Sequence, residues 1–129
     1  MNYLEEEIDE VLHELKIEHK KLTTEDIHQL TKALTRKFFR AESTILDPME
    51  FNETNTEHNP NFWQEITDRI KKTDLTLLVF DTRYRAWEIN NSQDLASVIG
   101  ETTGYPFWLT DRNLTFLVHL DDHDCVIST

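Results

Sequence analysis

Leu75-Thr76-Leu77-Leu78-Val79-Phe80 is the stretch on which the fold turns. It is short, almost wholly apolar, and bounded by the polar pairs Thr73-Asp74 and Asp81-Thr82. A run of this length with leucine, valine and phenylalanine is too short for a buried helix, and it predicts a strand in the interior of a sheet. Asp81-Thr82-Arg83-Tyr84 then predicts a turn. Arg85-Ala86-Trp87-Glu88-Ile89 alternates in character, which predicts a second strand.

Downstream the same grammar repeats. Asn90-Asn91-Ser92 reads as a turn with Ser92 as the cap of a short helix over residues 93–102, whose inward residues are Leu95, Val98 and Ile99. Gly104 is placed to stop that helix. Pro106-Phe107-Trp108-Leu109 reads as a third strand and Asp111-Arg112-Asn113 as a turn. Residues 114–120 read as a fourth strand, and residues 125–128 as a last short one after Asp121-Asp122.

Upstream the periodicity changes to that of helices. Tyr3, Leu4, Ile8, Val11, Leu12 and Leu15 recur at spacings of three and four, with Glu5, Glu6, Glu7, Asp9 and Glu10 towards the end where negative charge suits the helix dipole. Thr23 or Thr24 caps a second helix carrying Ile27, Leu30, Leu34 and Phe38. With so short a link between them, these two helices over residues 1–40 are expected to form an antiparallel hairpin. Asn59-Pro60 predicts a third helix start, with Asn59 as the cap, Pro60 in the first turn and Phe62, Trp63, Ile66 and Ile70 on the apolar face. Between the second and third helices, residues 41–60 are polar and read as a long irregular connection. Residues 41–70 hold seven acids and one base. The order ααα-ββ-α-ββ(β), with helices and strands segregated, predicts a single α+β domain over residues 1–129, its N-terminal helices packed on one face of a mostly antiparallel sheet.

Bulk chemistry narrows the function. The 129 residues carry 25 acids against 13 lysines and arginines, a net charge of −12. Phosphate binding needs clustered cations, and the one cluster, Lys32, Arg36, Lys37 and Arg40, reads as a solvated helix face near a C-terminus. No nucleic acid is expected as partner. The single cysteine, Cys125, fits a reducing compartment. The N-terminus lacks a secretory pattern and no apolar run is long enough to span a bilayer, so the expectation is a cytoplasmic protein without a membrane partner.

The densest chemistry is His119-Leu120-Asp121-Asp122-His123-Asp124-Cys125. On a continuous strand His119, Asp121 and His123 would share a face, as a two-imidazole, one-carboxylate metal site requires. The alternative is a polar hairpin tip. Asp81 ends an apolar strand as nucleophilic aspartates of phosphotransferases do, but the second carboxylate they need two residues on is here Arg83. Gly100 and Gly104 lack the lysine of a phosphate loop and stand at a helix end. Cys125 opens an apolar strand, where a buried inert thiol is the ordinary outcome. No catalytic residue and no cofactor is expected.

What remains is recognition. Tyr84, Trp87, Tyr105, Phe107 and Trp108 are many aromatics for a small domain, and Glu101 to Asp111 mixes them with acids as an interface with a basic partner would. The run of strand, Phe107-Trp108, strand and Asp122-His123-Asp124-Cys125, in an acidic single-cysteine domain, resembles the small immunity proteins of bacterial polymorphic toxin systems, including contact-dependent inhibition and the toxin–immunity modules of Neisseria. That resemblance implies capture of a basic toxin domain, commonly a nuclease, by occlusion without catalysis. Glu101, Asp111, Asp121, Asp122 and Asp124 are the expected contact acids, with Tyr105 and Trp108 as anchors. The competing expectation is a metal-dependent enzyme built on His119, Asp121 and His123.

Overall fold

In the computed structural model, which describes residues 3–102 and 104–129, four α-helices and a seven-stranded sheet follow the chain in the order α1 (Tyr3–Glu14), β1 (His19–Lys21), α2 (Thr24–Phe38), β2 (Asn55–His58), α3 (Phe62–Arg69), β3 (Thr73–Asp81), β4 (Arg83–Asn91), α4 (Ser92–Glu101), β5 (Phe107–Asp111), β6 (Leu117–Leu120) and β7 (Cys125–Ser128). The strands lie in the order β1-β4-β3-β5-β6-β7-β2, and every neighbouring pair is antiparallel. The fold is α+β, and the run at residues 75–80 is an interior strand of its sheet.

Alternation along these strands sorts the core into two layers. Leu75, Leu77 and Val79 of β3, Trp87 and Ile89 of β4, and Phe107 and Leu109 of β5 pack with Ile8 and Leu12 of α1, Ile66 of α3 and Leu95 and Val98 of α4. The residues between them, Leu78, Ala86 and Trp108, point the other way and pack with Ile27, Leu34 and Phe38 of α2. Each large aliphatic side chain withdrawn in this way contributes about 1.5–3 kcal/mol. The sheet is therefore covered on both faces, and the expectation that the helices share one face is corrected.

The cause is a strand that the pattern did not announce. His19-Lys20-Lys21 pairs along the edge with Trp87 to Ile89 (His19↔Ile89, Lys21↔Trp87). Its three residues are all exposed, so it carries no apolar signature. The chain thus leaves α1 through Lys16, whose φ is 53°, runs along the sheet edge, and enters α2 on the opposite face. No helical hairpin forms. The α2 start does match its expectation: the Thr23 hydroxyl accepts from Asp26 N (3.1 Å) and the Asp26 carboxylate from Thr23 N (3.4 Å), a reciprocal cap.

Residues 41–60 are more ordered than their composition implies. The Thr35 hydroxyl accepts from Ser43 N at 2.8 Å. Arg40 N donates to Glu50 O and Asn52 N to Phe38 O, bringing Phe51 beside Phe39. Leu46 and Phe51 are buried, and Phe39, Phe51 and Trp108 form a triangle with ring centroids 5.2–5.6 Å apart. The strap then becomes β2, an edge strand registered on β7 from Asn55↔Ser128 to His58↔Cys125. Among the described residues no helix is long and apolar enough to cross a membrane.

Candidate functional site

The site grows from the way α3 is started and where α4 ends. Asn59 does not cap α3; its Oδ1 accepts from Asn61 N at 3.0 Å, and the helix begins at Phe62. Asn59 N in turn donates to Asp124 O at 2.8 Å, which ties the entrance of α3 to the β6–β7 turn. Phe62 and Ile66 are buried, whereas Trp63, one residue round the helix, is 37% exposed. The Trp63 indole lies directly over Gly100 of α4: a Cβ at Gly100 would sit 2.5 Å from the Trp63 ring. Gly100 has no positive φ, so the backbone does not require glycine there; the ring does. The helix is capped by Asn91, whose Oδ1 accepts from Asp94 N (2.8 Å), one residue before the expected Ser92. Its C-cap is Thr102 rather than a left-handed Gly104.

Trp63 stands as a ridge between two hollows. One, of about 330 Å³, is lined among others by Thr102, Tyr105, Asp121, Asp122 and Asp124. The other, of about 400 Å³, is lined by Leu15, Asp94, Ser97 and Glu101 among others. Among the described residues no lysine, arginine or histidine lines either hollow. Elsewhere on the surface some acids are paired, Glu42 with Arg36, Glu57 and Glu65 with Arg69, Glu5 and Asp9 with Lys21, Asp74 and Glu88 with Arg112, while others, such as Glu10, Glu25 and Glu53, stand in no ion pair among the described residues but line neither hollow. Among the described residues Asp94, Glu101 and Asp124 have no cationic partner within 4.0 Å, and Asp122 has only the exposed imidazole of His123 at 3.7 Å.

Each expected residue can now be placed. Glu101, Tyr105, Asp121, Asp122 and Asp124 meet around Trp63. Tyr105 is a wall rather than a projecting anchor; its hydroxyl is 2.8 Å from the Thr102 hydroxyl, and burial pushes its pKa up to about 12, so the phenol stays protonated. Asp121 organises the turn, accepting from His123 N (2.8 Å) and Cys125 N (2.9 Å). Burial pushes its pKa up, but those two N–H donors and the neighbouring imidazoles outweigh it and hold the carboxyl below its ordinary value. Asp122 and His123 form the exposed tip, and Asp124 closes the turn with φ 63°.

Two expected contacts lie elsewhere. Trp108 is buried in the second layer against Phe39, Phe51 and His119. Asp111 is buried, and its carboxylate accepts from Thr115 N (2.7 Å) and the Thr115 hydroxyl (2.6 Å), bracing the β5–β6 connection. Neither belongs to the face around Trp63. The proposed face shared by His119, Asp121 and His123 does not form either, because the chain leaves the extended conformation after Leu120. His119 is buried on the ring of Trp108 (4.2 Å), while His123 is out in solvent. Among the described residues no group of three histidine, cysteine or carboxylate side chains converges as a metal would need. Asp81 accepts from Glu5 N at 3.1 Å, the first turn of α1, the part of a turn residue and helix cap.

Trp63, Gly100 and Asp94 were not expected here. The sequence pattern places Trp63 on the apolar face of its helix and Gly100 at a helix end. A glycine inside a helix without a turn to make is the signal that another ring or backbone comes close. No protein-family model, curated protein or solved structure matches the chain.

Proposed function

We propose that this protein is an immunity-type inhibitor that captures a basic toxin domain, of the nuclease class, and occludes it without chemistry of its own. The observation that carries this reading is the Trp63 ridge with its two cation-free, acid-lined hollows. Arginine and lysine side chains are drawn to a tryptophan ring flanked by carboxylates, and arginine adds bidentate pairing. A nuclease must present such cations to its own phosphate substrate. An acidic face that meets them takes the place of the nucleic acid and speeds encounter. The lone cysteine is consistent with action in the cytoplasm.

The test is a tagged pull-down from the native cell at low and at high salt, read by mass spectrometry. One basic protein is expected at near-equal stoichiometry, weakened by salt. With that partner in hand, Asp122→Lys with Asp124→Lys slows association at low salt by about tenfold or more. Asp111→Ala, at a buried brace, costs about 1–3 kcal/mol of stability and leaves the association rate unchanged. Capture of no basic partner by folded protein sinks the reading; a partner indifferent to the aspartates moves its site elsewhere.

A further inference from the structure

On the opposite side of the sheet from the acidic face, the strap over residues 45–49 and the β3–β4 hairpin enclose a third hollow of about 290 Å³. Phe80, Tyr84, Trp108, His119, Leu46 and Pro48 are among the residues that line it, and among the described residues no lysine, arginine or carboxylate does. Phe80 and Tyr84 meet edge to face at 5.0 Å. The Tyr84 oxygen accepts from Leu46 N at 2.9 Å, which leaves its proton to donate.

Two independent features point to an occupant. His119 is 7% exposed, its ring lies tilted against Trp108 with centroids 4.2 Å apart, and among the described residues it makes no hydrogen bond. A neutral imidazole always holds one donor and one acceptor; the His119 nitrogens are not among the fully buried unpaired atoms, so on a side chain that lines the hollow they are open to whatever fills it. Burial lowers the His119 pKa to about 4, so the ring is neutral at pH 7. The second feature is the rim. Among the described residues six large hydrophobic side chains are exposed; Phe80, at 63%, lines the hollow, and Ile45 and Met49, at 64% and 80%, flank the lining residues Leu46 and Pro48 on the strap. Exposed apolar surface gathered round a hollow marks a contact surface.

We propose that this hollow receives a tyrosine or tryptophan side chain of a protein partner, the ring packing against Phe80, Tyr84 and Trp108 and its O–H or N–H reaching the His119 imidazole. No charged side chain lines the hollow among the described residues, and the nearby Asp47 carboxylate, close enough to act on the Tyr84 hydroxyl, disfavours an anion, so a neutral group with a proton to donate fits. The size, at the low end of the roughly 300–1,000 Å³ of ligand clefts, suits one ring. The apolar rim extends past the hollow over Ile45 and Met49, surface that a polypeptide covers and a free small molecule leaves wet. Rings of this kind with one polar end are the usual anchors of protein interfaces. The proposal stands apart from the acidic face, since the two surfaces lie on opposite sides of the sheet.

The experiment is an NMR titration of the full-length protein with N-acetyl-tryptophanamide, N-acetyl-tyrosinamide, N-acetyl-phenylalaninamide and N-acetyl-leucinamide. The His119 ring proton, the Phe80 ring and the Met49 methyl report. The tryptophan and tyrosine amides are expected to shift all three, with the leucine amide at least about tenfold weaker. His119→Phe keeps the ring area and removes the hydrogen bond; it should weaken the tyrosine amide about tenfold and spare the phenylalanine amide. Met49→Glu and Phe80→Glu, at exposed positions that the fold does not need, should weaken all the aromatic amides. Equal response to the leucine amide, or no response at these three reporters, overturns the proposal. So does free indole that binds as tightly as the tryptophan amide and ignores Met49→Glu, since the occupant would then be a small molecule.

Discussion

Removing Glu5 and removing Arg85 should have unequal consequences, although the two form one ion pair. Arg85 lies on β4 beneath α1, its side chain 7% exposed, with NH1 3.4 Å from Glu5. Its Nε is buried and finds no partner among the described residues. Glu5, 17% exposed, has a second cation, Lys21 at 2.9 Å. Replacing Arg85 by methionine therefore leaves no orphan: Glu5 keeps Lys21, the unpaired Nε disappears, and an apolar chain of similar length fills the space. Removal of a buried charge in this manner is often neutral or stabilising. Glu5→Ala instead strands the guanidinium without its carboxylate.

Breaking a buried pair from one side costs about 3–5 kcal/mol. The partial exposure of Glu5 and the water that replaces its carboxylate reduce that to about 2–3 kcal/mol. For a domain of this size that corresponds to a fall in Tm of roughly 6–12 °C. Thermal and urea denaturation of Glu5→Ala, Arg85→Met and the double variant give the cycle. Arg85→Met should lie within about 1 kcal/mol of the parent, and the double variant should recover most of what Glu5→Ala loses. Should Arg85→Met cost more than Glu5→Ala, Arg85 stabilises through contacts other than this pair, and the reasoning fails.

Gly100→Ala gains up to about 1 kcal/mol of helix propensity but drives a methyl to 2.5 Å from the Trp63 ring; overpacking of this kind costs about 1–3 kcal/mol, so denaturation should show a net loss together with weaker partner capture, and a more stable variant with unchanged capture would show that the ridge is not held by Gly100. His119 has a folded pKa near 4 against 6.5 for the free ring, so the unfolded chain binds the extra proton between those values: its share of stability is full above about pH 6.5 and is lost as pH falls towards 4, about 3 kcal/mol in all, and a urea-denaturation series of the parent against His119→Phe should show this slope disappear in the variant.

The interior strands were legible because each carries side chains that must be buried. The runs at residues 75–80 and 85–89 announce themselves through apolar content and alternation, and the register Leu78↔Ala86 follows once they pair. The two edge strands were not legible. His19-Lys20-Lys21 and Asn55-Thr56-Glu57-His58 are held by backbone hydrogen bonds, which are blind to side-chain type, and polar residues are what an edge should carry to discourage further pairing. Missing His19 to Lys21 was enough to fold α1 and α2 onto each other instead of onto opposite faces. Within β5 the alternation was readable but its meaning was not. Phe107 and Leu109 face one layer and Trp108 the other, and since both faces are covered, Trp108 lies within a layer, at the wall of a hollow, rather than projecting into solvent.

The acidity of the chain divides in the same way. A net charge of −12 is a property of composition and says little about where a partner sits. Residues 1–18 alone hold seven acids against one lysine, yet Glu5 and Asp9 there are engaged by Lys21, Arg85 or Trp87, so part of that charge serves to dock α1. Asp111, in a stretch that looked like an interface, is engaged by Thr115. The carboxylates available to another molecule are those the fold leaves without a cation beside an exposed ring. Asp94, Glu101, Asp122 and Asp124 meet that condition around Trp63, although they come from a helix start, a helix end and a hairpin turn. Their convergence depends on Gly100 admitting the indole and on Asn59 N bonding to Asp124 O, two contacts that join segments more than 35 residues apart or across separate elements. A cluster assembled in that way leaves single acids in the sequence and becomes a face only when the chain is folded.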